Sequence, residues 1–292
     1  HSGEALGAAL GVSRSAVWKQ LQHLESELNL PIHKVRGRGY QLASPLVFLS
    51  AKEIEANAAS LVWPVYISDS IDSTNAEALR LVDAGRTAPF LVLAEQQTAG
   101  RGRRGRKWVS PFAQNVYYSL VLRIDGGLRQ LEGLSLVVGL AVMRCLRELG
   151  VQGAALKWPN DVLVGHKKIA GILLELVGDP ADICHVVLGI GINVNMQKAA
   201  EVDQEWTSVQ LETGSTVDRN YLVARLGLQL QSHLQRHAAF GFTALQEEWE
   251  HNHLWQGRAV SLIAGVNQID GVVLGIDHQG ALRLDVDGVG KI

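Results

Sequence analysis

The chain has 292 residues, 47% of them hydrophobic, so it can build two or three domains around a substantial core and is not a disordered polymer. Lys and Arg (27) nearly balance Asp and Glu (29), for a net charge of −2, so any affinity for nucleic acid must reside in a local patch. The longest apolar run, Leu134 to Met143, is far too short for a bilayer, and the two cysteines, Cys145 and Cys184, form no CxxC and suit a reducing, cytoplasmic setting.

In chain order, "EALGAAL" (Glu4–Leu10) is predicted to form a short helix that Gly11 closes in the left-handed conformation. Ser13 then caps "RSAVWKQLQHLESEL", where Val17, Leu21, Leu24 and Leu28 fall on one face. Helix, glycine turn and second helix is the spacing of a helix-turn-helix. The alternating "PIHKVRGRGYQLA" that follows, with its Arg-Gly-Arg-Gly tip, predicts a β-hairpin wing. A solvated amphipathic helix pair would share the helical pattern. The basic residues Arg14, Lys19, Lys34, Arg36 and Arg38 favour DNA binding.

"ASPL" (Ala43–Leu46) reads as a linker, after which Ser50 and Glu53 form a capping box opening a helix at Ala51. From about residue 64 to 255, seven strands are predicted in "PVYIS", "PFLVLAE", "NVYYSLVLRI", "AALKW", "DVLVG", "IAGILLEL" and "HVVLGIGINV". Helices are predicted at Thr74–Ala84, Gly133–Leu149, Asn220–Ala239 and Phe242–Leu254. The order lacks regular β-α-β alternation and predicts an α+β domain with a mostly antiparallel sheet. From Gly257 the helical period gives way to short strands joined by turns at "NQIDG" and "DHQG", a small β-barrel or sandwich. The chain opens on His1 rather than Met and stops at Ile292 in mid-pattern, so a natural start upstream and a final strand downstream are expected.

The chemistry centres on "AGRGRRGRKW" (Ala99–Trp108), five positive charges and three glycines in ten residues. Such a loop could track a nucleic-acid backbone. It could equally close over a small phosphate, with glycines for backbone approach and arginines for bidentate contact. The second use needs further parts, and the chain supplies them: Trp108 as a lid, Asn160 and Asp161 in "KWPND", and Lys168 beside Ala170 and Gly171. Each has a plainer explanation. Pro-Asn-Asp is a good turn, Lys168 could be an edge-strand lysine, Trp108 could be core, and Thr74-x-x-Glu77 could be a capping box alone. Their joint occurrence favours the phosphate. His233 and His237 have a metal-compatible spacing without a third ligand, and "GIGIN" lacks the later glycine of a dinucleotide fingerprint.

The blocks "DSTN" (72–75), "EQQTAGRGRRGRKW" (95–108), "KWPND" (157–161), "KKIAGILLE" (167–175) and "GIGINVN" (189–195) resemble the signature blocks of biotin–protein ligases. With the winged helix-turn-helix, the closest likeness is to the bifunctional form that also represses the biotin operon. The resemblance covers essentially the whole chain, less a helix ahead of the helix-turn-helix and the last part of the C-terminal barrel; the first gap bears on DNA binding, the second on nucleotide contacts.

The resemblance implies a class II synthetase-like ligase domain at 45–255, between a winged helix-turn-helix at 1–44 and an SH3-like barrel at 256–292. It also implies two chemical steps. Biotin's carboxylate attacks the α-phosphorus of ATP, giving biotinyl-5′-AMP and pyrophosphate. A lysine of the biotin carboxyl carrier protein of acetyl-CoA carboxylase then takes the biotinyl group, releasing AMP. Arg101, Arg103 and Lys168 are the implied catalytic groups. Ser73, Thr74, Asn75, Gln97, Gly100, Gly102 and Gly171 join them around biotin. Arg106, Trp108, Asn160, Asn193 and Trp206 join Arg103 and Lys168 around the nucleotide, and Asp161 holds Mg²⁺. Arg14, Ser15, Trp18, Lys19, Arg36 and Arg38 are implied to face DNA. Biotinyl-AMP is implied to act as co-repressor, favouring a homodimer on the operator of the biotin biosynthesis genes. A lipoate–protein ligase and a biotin sensor without catalysis are the alternatives; an exclusively nucleic-acid-binding protein fits poorly with the charge of −2.

Overall fold

The computed structural model describes residues 1–28, 30, 32–42, 45–61, 63–125, 127, 130–179, 183–286 and 290–291. Ala43 and Ser44 of the predicted linker lie outside them. At the N-terminus, α1 (Gly3–Leu10) ends at Gly11, whose φ of 69° is left-handed, and α2 (Arg14–Leu28) follows. The Ser13 hydroxyl accepts from Ala16 N at 3.2 Å, as expected of an N-cap. The hairpin of β1 (Ile32–Val35) and β2 (Gly39–Leu42) is the wing. Of the apolar stripe expected on α2, Val17 is buried, Leu21 and Leu28 are half-buried, and Leu24 is exposed. The stripe is narrower than predicted because this small unit also packs through its far end: Leu28, Leu30, Ile32 and Leu46 gather on Phe112 and Ala113 of the next unit.

The central unit contains α3 (Ala51–Asn57), β3 (Val65–Ser68), α4 (Thr74–Asp83), β4 (Phe90–Ala94), β5 (Val116–Ile124), α5 (Leu134–Glu148), β6 (Ala154–Lys157), β7 (Asp161–Val164), β8 (Lys167–Gly178), β9 (Cys184–Ile192), α6 (Val209–Thr213), α7 (Arg219–Phe240) and α8 (Thr243–His251). Its seven strands form one sheet in the order β3-β4-β5-β9-β8-β7-β6, parallel only between β3 and β4. The mixed, mostly antiparallel sheet is the one the sequence predicts.

Strand alternation sorts the two faces. Leu91, Leu93, Tyr118, Leu120, Val186, Leu188 and Ile190 point into the large core with α5 and α7. Phe90, Val92, Val121 and Val187 point the other way, onto Ala78 of α4. Along β5, β8 and β9 this second face continues as Tyr117 and Ser119, Gly171, Leu173 and Glu175, and Gly189 and Gly191, all but Leu173 small or polar where the core face is apolar. A face so composed leaves room beside α4.

The Ser50 cap is only half of the predicted box: its hydroxyl accepts from Glu53 N, but Asn220 Oδ1 takes Ser50 N and Asn220 Nδ2 engages Glu53. A tertiary partner has replaced the local one. The segment is fastened further by a buried ion pair, Arg219 Nη2 to Glu95 Oε2 at 2.6 Å. Arg219 also donates to Val47 O, and Glu95 Oε1 accepts from Leu49 N.

The C-terminal unit is a four-stranded antiparallel sheet of the SH3-like kind, β10 (Ala259–Ala264), β11 (Asn267–Ile276), β12 (Leu282–Val286) and β13 (Gly290–Lys291), paired in sequence order. "DHQG" is a turn as predicted. "NQIDG" is not: it lies within β11, and the chain reverses at Gly265–Val266, where Gly265 adopts φ 64°. The Gly at the reversal point outweighs the turn propensity of Asn267 and Asp270. No helix of the described residues is long and apolar enough to cross a membrane.

Candidate active site

The loop Gly100–Trp108 folds as a tight hairpin. Trp108 N donates to Gly100 O at 2.9 Å and Gly102 N to Arg106 O at 2.7 Å, around a 3₁₀ turn at Arg103–Gly105. Arg104 at the tip has a left-handed φ of 57°. The hairpin lays Trp108 flat on the cross-strand glycine pair Gly171–Gly191. A Cβ on Gly191 would lie 2.4 Å from Trp108 Cε2, and one on Gly189 2.4 Å from Asn75 Oδ1. These glycines of "GIGIN" exist for close approach, and their i, i+2 spacing on a strand was the available signal. Gly191→Ala is therefore expected to push Trp108 out of place and raise the Kd for the pocket's ligand about tenfold or more, measured by tryptophan-fluorescence titration on protein of unchanged circular dichroism.

Lys168 reaches the site by a strand irregularity. Val162 pairs with Ala170, but Leu163 pairs with Lys168, leaving Ile169 as an extra residue in β8. Ile169 and Ala170 both enter the core, and the bulge turns Lys168 to the opposite face. There its Nζ lies 2.8 Å from Asp161 Oδ1, an ion pair without hydrogen-bond angle, and 5.4 Å from the centre of the Trp108 ring. Lys168 N and O also bond Glu205 O and Thr207 N, which holds Trp206 alongside.

Two adjoining pockets result. One, with about 470 Å³ of free volume including its mouth, is lined by Ser73, Thr74, Asn75, Gln97, Arg101, Gly102, Arg103, Trp108, Asn160, Lys168 and Gly171 among others. The second, wider at about 1780 Å³, is lined by Arg103, Arg106, Trp108, Asn160, Asp161, Lys168, Asn193 and Trp206 among others, with Leu262 and Ile263 of the C-terminal sheet. Gly102, Arg103, Trp108, Asn160 and Lys168 belong to both. Of the residues predicted for the two ligands only Gly100 lines neither; it is buried where a Cβ would meet Trp108 O at 2.5 Å.

The small pocket is internally wired. Thr74 sits in the first turn of α4 and makes no capping box with Glu77, which instead binds Arg80. Thr74 N and Oγ1 both donate to Gln97 Oε1, at 2.8 and 3.1 Å, and Gln97 Nε2 donates to Ser110 Oγ. Asn75 Oδ1 accepts from Ser119 at 2.6 Å, while its Nδ2 donates to Glu175 at 2.7 Å. Arg80 holds the Asp72 carboxyl beneath this turn down to about 2. Burial pushes the Tyr117 phenol well above its usual range, keeping it a neutral donor to Pro111 O. Arg103 donates to Asn160 Oδ1 at 3.3 Å, Arg106 is exposed, and Asn193 Nδ2 ties Thr207 O and Lys168 O. Ser110, Ser119 and Tyr117 carry no motif signal and are found only through their partners, and Glu175, which ends the block "KKIAGILLE", has no role assigned to it from sequence. His233 and His237 serve separate backbone carbonyls, Gln229 O and Glu132 O. Arg14, Ser15, Trp18 and Lys19 on α2 and Arg36 and Arg38 on the wing are all exposed.

A cation-lined junction between a small pocket and a wide one is the arrangement of a ligase-type catalytic unit, here joined to a helix-turn-helix. Known proteins agree. Residues 67–193 match the Biotin/lipoate A/B protein ligase family and residues 1–41 an HTH domain. The bifunctional ligase/repressor BirA of Salmonella typhimurium is 41% identical over 293 residues, covering 100% of this chain and 90% of its own, and that of Bacillus subtilis is 33% identical with 91% of its own length covered. The biotin protein ligase of Aquifex aeolicus in complex with biotin and ATP superposes with a TM-score of 0.69 at 30% identity, over 78% of this chain and 94% of that one. The chain belongs to the biotin/lipoate protein ligase family, as a biotin ligase of the bifunctional ligase/repressor kind.

Proposed function

We propose that the small pocket holds biotin, the wide pocket holds ATP, and their shared wall is where biotinyl-5′-AMP forms. The junction of Arg103, Trp108, Asn160 and Lys168 carries this reading. An anionic carboxylate and an anionic phosphate repel, so cations aimed at both lower the barrier. Lys168 and Arg103 supply them, and Arg101 closes the biotin side. Thr74 and Gln97, bonded to each other, and Asn75, held by Ser119 and Glu175, present a rigid polar wall to the ureido ring, with Ser73 beside them. Trp108 and Trp206 flank the nucleotide, Arg106 meets its phosphates at the mouth, and Asn193 holds the Trp206 segment. The carboxylate oxygen bonds to the α-phosphorus as the bond to pyrophosphate breaks. A carrier-domain lysine amine then attacks the acyl carbon, and AMP leaves with its oxygen.

Mg²⁺ fits Asp161: its buried Oδ1 accepts no hydrogen bond and faces only the Lys168 ammonium at 2.8 Å, and one carboxylate plus substrate phosphates is the usual Mg²⁺ donor set. Bound there, the ion would neutralise phosphate charge. Biotin-dependent ATP–pyrophosphate exchange tests the adenylation step.

On the same reading the chain divides at 1–44, 45–255 and 256–292, works in the cytoplasm, and reads the biotin operator as a homodimer paired through the central sheet when loaded with biotinyl-AMP, the co-repressor. Arg14, Ser15, Trp18 and Lys19 would enter the major groove, with Arg36 and Arg38 on phosphates. Arg36→Ala and Arg38→Ala are each expected to reduce the salt slope of DNA binding by about 1, measured with random-sequence duplex; unchanged slopes would remove the wing from the DNA.

A further inference from the structure

Lys157 opens the "KWPND" corner and takes no part in the junction between the pockets. It lines the wide pocket but not the small one. On β6, Ala154 and Leu156 enter the core, so alternation turns Lys157 to the opposite face, directly across the β6–β7 ladder from Asp161. Its ammonium lies 5.1 Å from the centre of the Trp255 ring, and among the described residues no carboxylate forms an ion pair with it.

The strand pairing sets four side chains in a row. Past the end of β9, the segment Glu205–Thr207 takes that strand's place beside β8, so Trp206 is the lateral neighbour of Lys168. On the other side β8 pairs with β7, and β7 with β6. The order along one wall of the wide pocket is therefore Trp206, Lys168, Asp161, Lys157. The two lysines are seated alike, Lys168 over Trp108 and Lys157 over Trp255. Trp255 is itself fixed. Leu156 N donates to Asn252 O and Leu254 N to Leu156 O, while the His253 ring stacks on the buried Trp249 and meets Trp255 edge-on. The hairpin cations of this pocket, Arg103, Arg104, Arg106 and Lys107, are exposed, whereas Lys157 is half-buried. A preorganised cation without a carboxylate, facing a pocket, is matched to an anionic ligand.

We infer that Lys157 binds the β- and γ-phosphates of ATP and holds the departing pyrophosphate. The assignment rests on the functional reading above. With the base at Trp206 and the α-phosphorus at Lys168, the row leads the rest of the triphosphate past Asp161 to Lys157. As the carboxylate oxygen bonds to the α-phosphorus, the bond to the bridging oxygen breaks and its electron pair leaves on pyrophosphate. Lys157 meets that growing charge and transfers no proton.

The exchange assay reads the KM for pyrophosphate directly. Lys157→Gln is expected to raise the KM for pyrophosphate and for ATP about tenfold or more, the scale of one hydrogen bond to a charged group. The KM for biotin stays within about twofold, and the melting temperature is unchanged. Lys157→Arg keeps most of the affinity, because a guanidinium also binds phosphate. Trp255→Leu removes the platform and leaves the charge, raising the pyrophosphate KM about two- to fivefold, and Trp255→Phe recovers part of that. A wild-type pyrophosphate KM in Lys157→Gln, or a biotin KM that rises in step with it, overturns the assignment. Binding of ATP and of AMP to the biotin-free protein, followed by phosphorus NMR, needs no catalysis. There Lys157→Gln weakens ATP and spares AMP; equal losses, or none, overturn the assignment as well. Exchange that does not require biotin in the wild type sinks the functional reading instead, and the comparison of ATP with AMP still decides Lys157.

Discussion

Lys168→Ala is expected to lower biotin-dependent ATP–pyrophosphate exchange by about 10²–10³-fold while the protein stays folded, the usual cost of removing one preorganised charge at a reacting centre. Lys168 is the cation that the β8 bulge turns out of the core to the wall shared by both pockets, 2.8 Å from Asp161 and over the face of Trp108. Arg103 shares that wall but is turned to Asn160 at 3.3 Å. On the function proposed above the loss should appear in kcat rather than in biotin KM, because the charge would act on the meeting of carboxylate and phosphate. Lys168→Arg should recover only part of it, since a planar guanidinium does not reproduce a compact ammonium. Removing Lys168 also leaves Asp161 unpaired, so Lys168→Ala/Asp161→Asn, assayed with thermal unfolding, separates lost catalysis from lost stability. Exchange within a few-fold of wild type would make Lys168 a bystander.

The second large effect concerns stability. Glu95→Ala or Arg219→Met alone is expected to cost about 3–5 kcal/mol, because each leaves the partner's charge buried and uncompensated. Both side chains are 2% exposed, at 2.6 Å. Between them they hold Val47 O, Leu49 N and Asn115 O, so the strap leading out of the wing unit is fastened to the core at this point. The double variant Glu95→Met/Arg219→Met should lose much less than the sum of the singles. Urea denaturation followed by circular dichroism measures all three. A single-variant cost below about 1 kcal/mol would mean that water reaches the pair.

What could be read from the sequence was what is written locally. Strand and helix periods placed nearly every element, and Gly11, Ser13 and "DHQG" acted as their chemistry dictates. The arginine hairpin and Lys168 stood out because charge and glycine concentrate there. The parts that escaped depend on distant partners. Glu95 and Arg219 are 124 residues apart, and neither has a pattern that foretells burial. Ser110, Ser119 and Glu175 look like ordinary strand or loop residues until the sheet sets them against Gln97, Asn75 and Arg101. Thr74-x-x-Glu77 satisfied a capping rule that the structure does not use, because Gln97 competes for Thr74. "NQIDG" satisfied a turn rule that Gly265 overrode. The two glycines of "GIGIN" were weighed against a dinucleotide fingerprint, when their meaning lay in the side chains packed on them.

The central claim, that one wall joins a biotin pocket to a nucleotide pocket, is tested most directly by ATP–pyrophosphate exchange on the wild type with and without biotin. Exchange that appears only with biotin, and collapses in Lys168→Ala, is the expected result. Exchange without biotin, or none despite tight biotin binding, would contradict it.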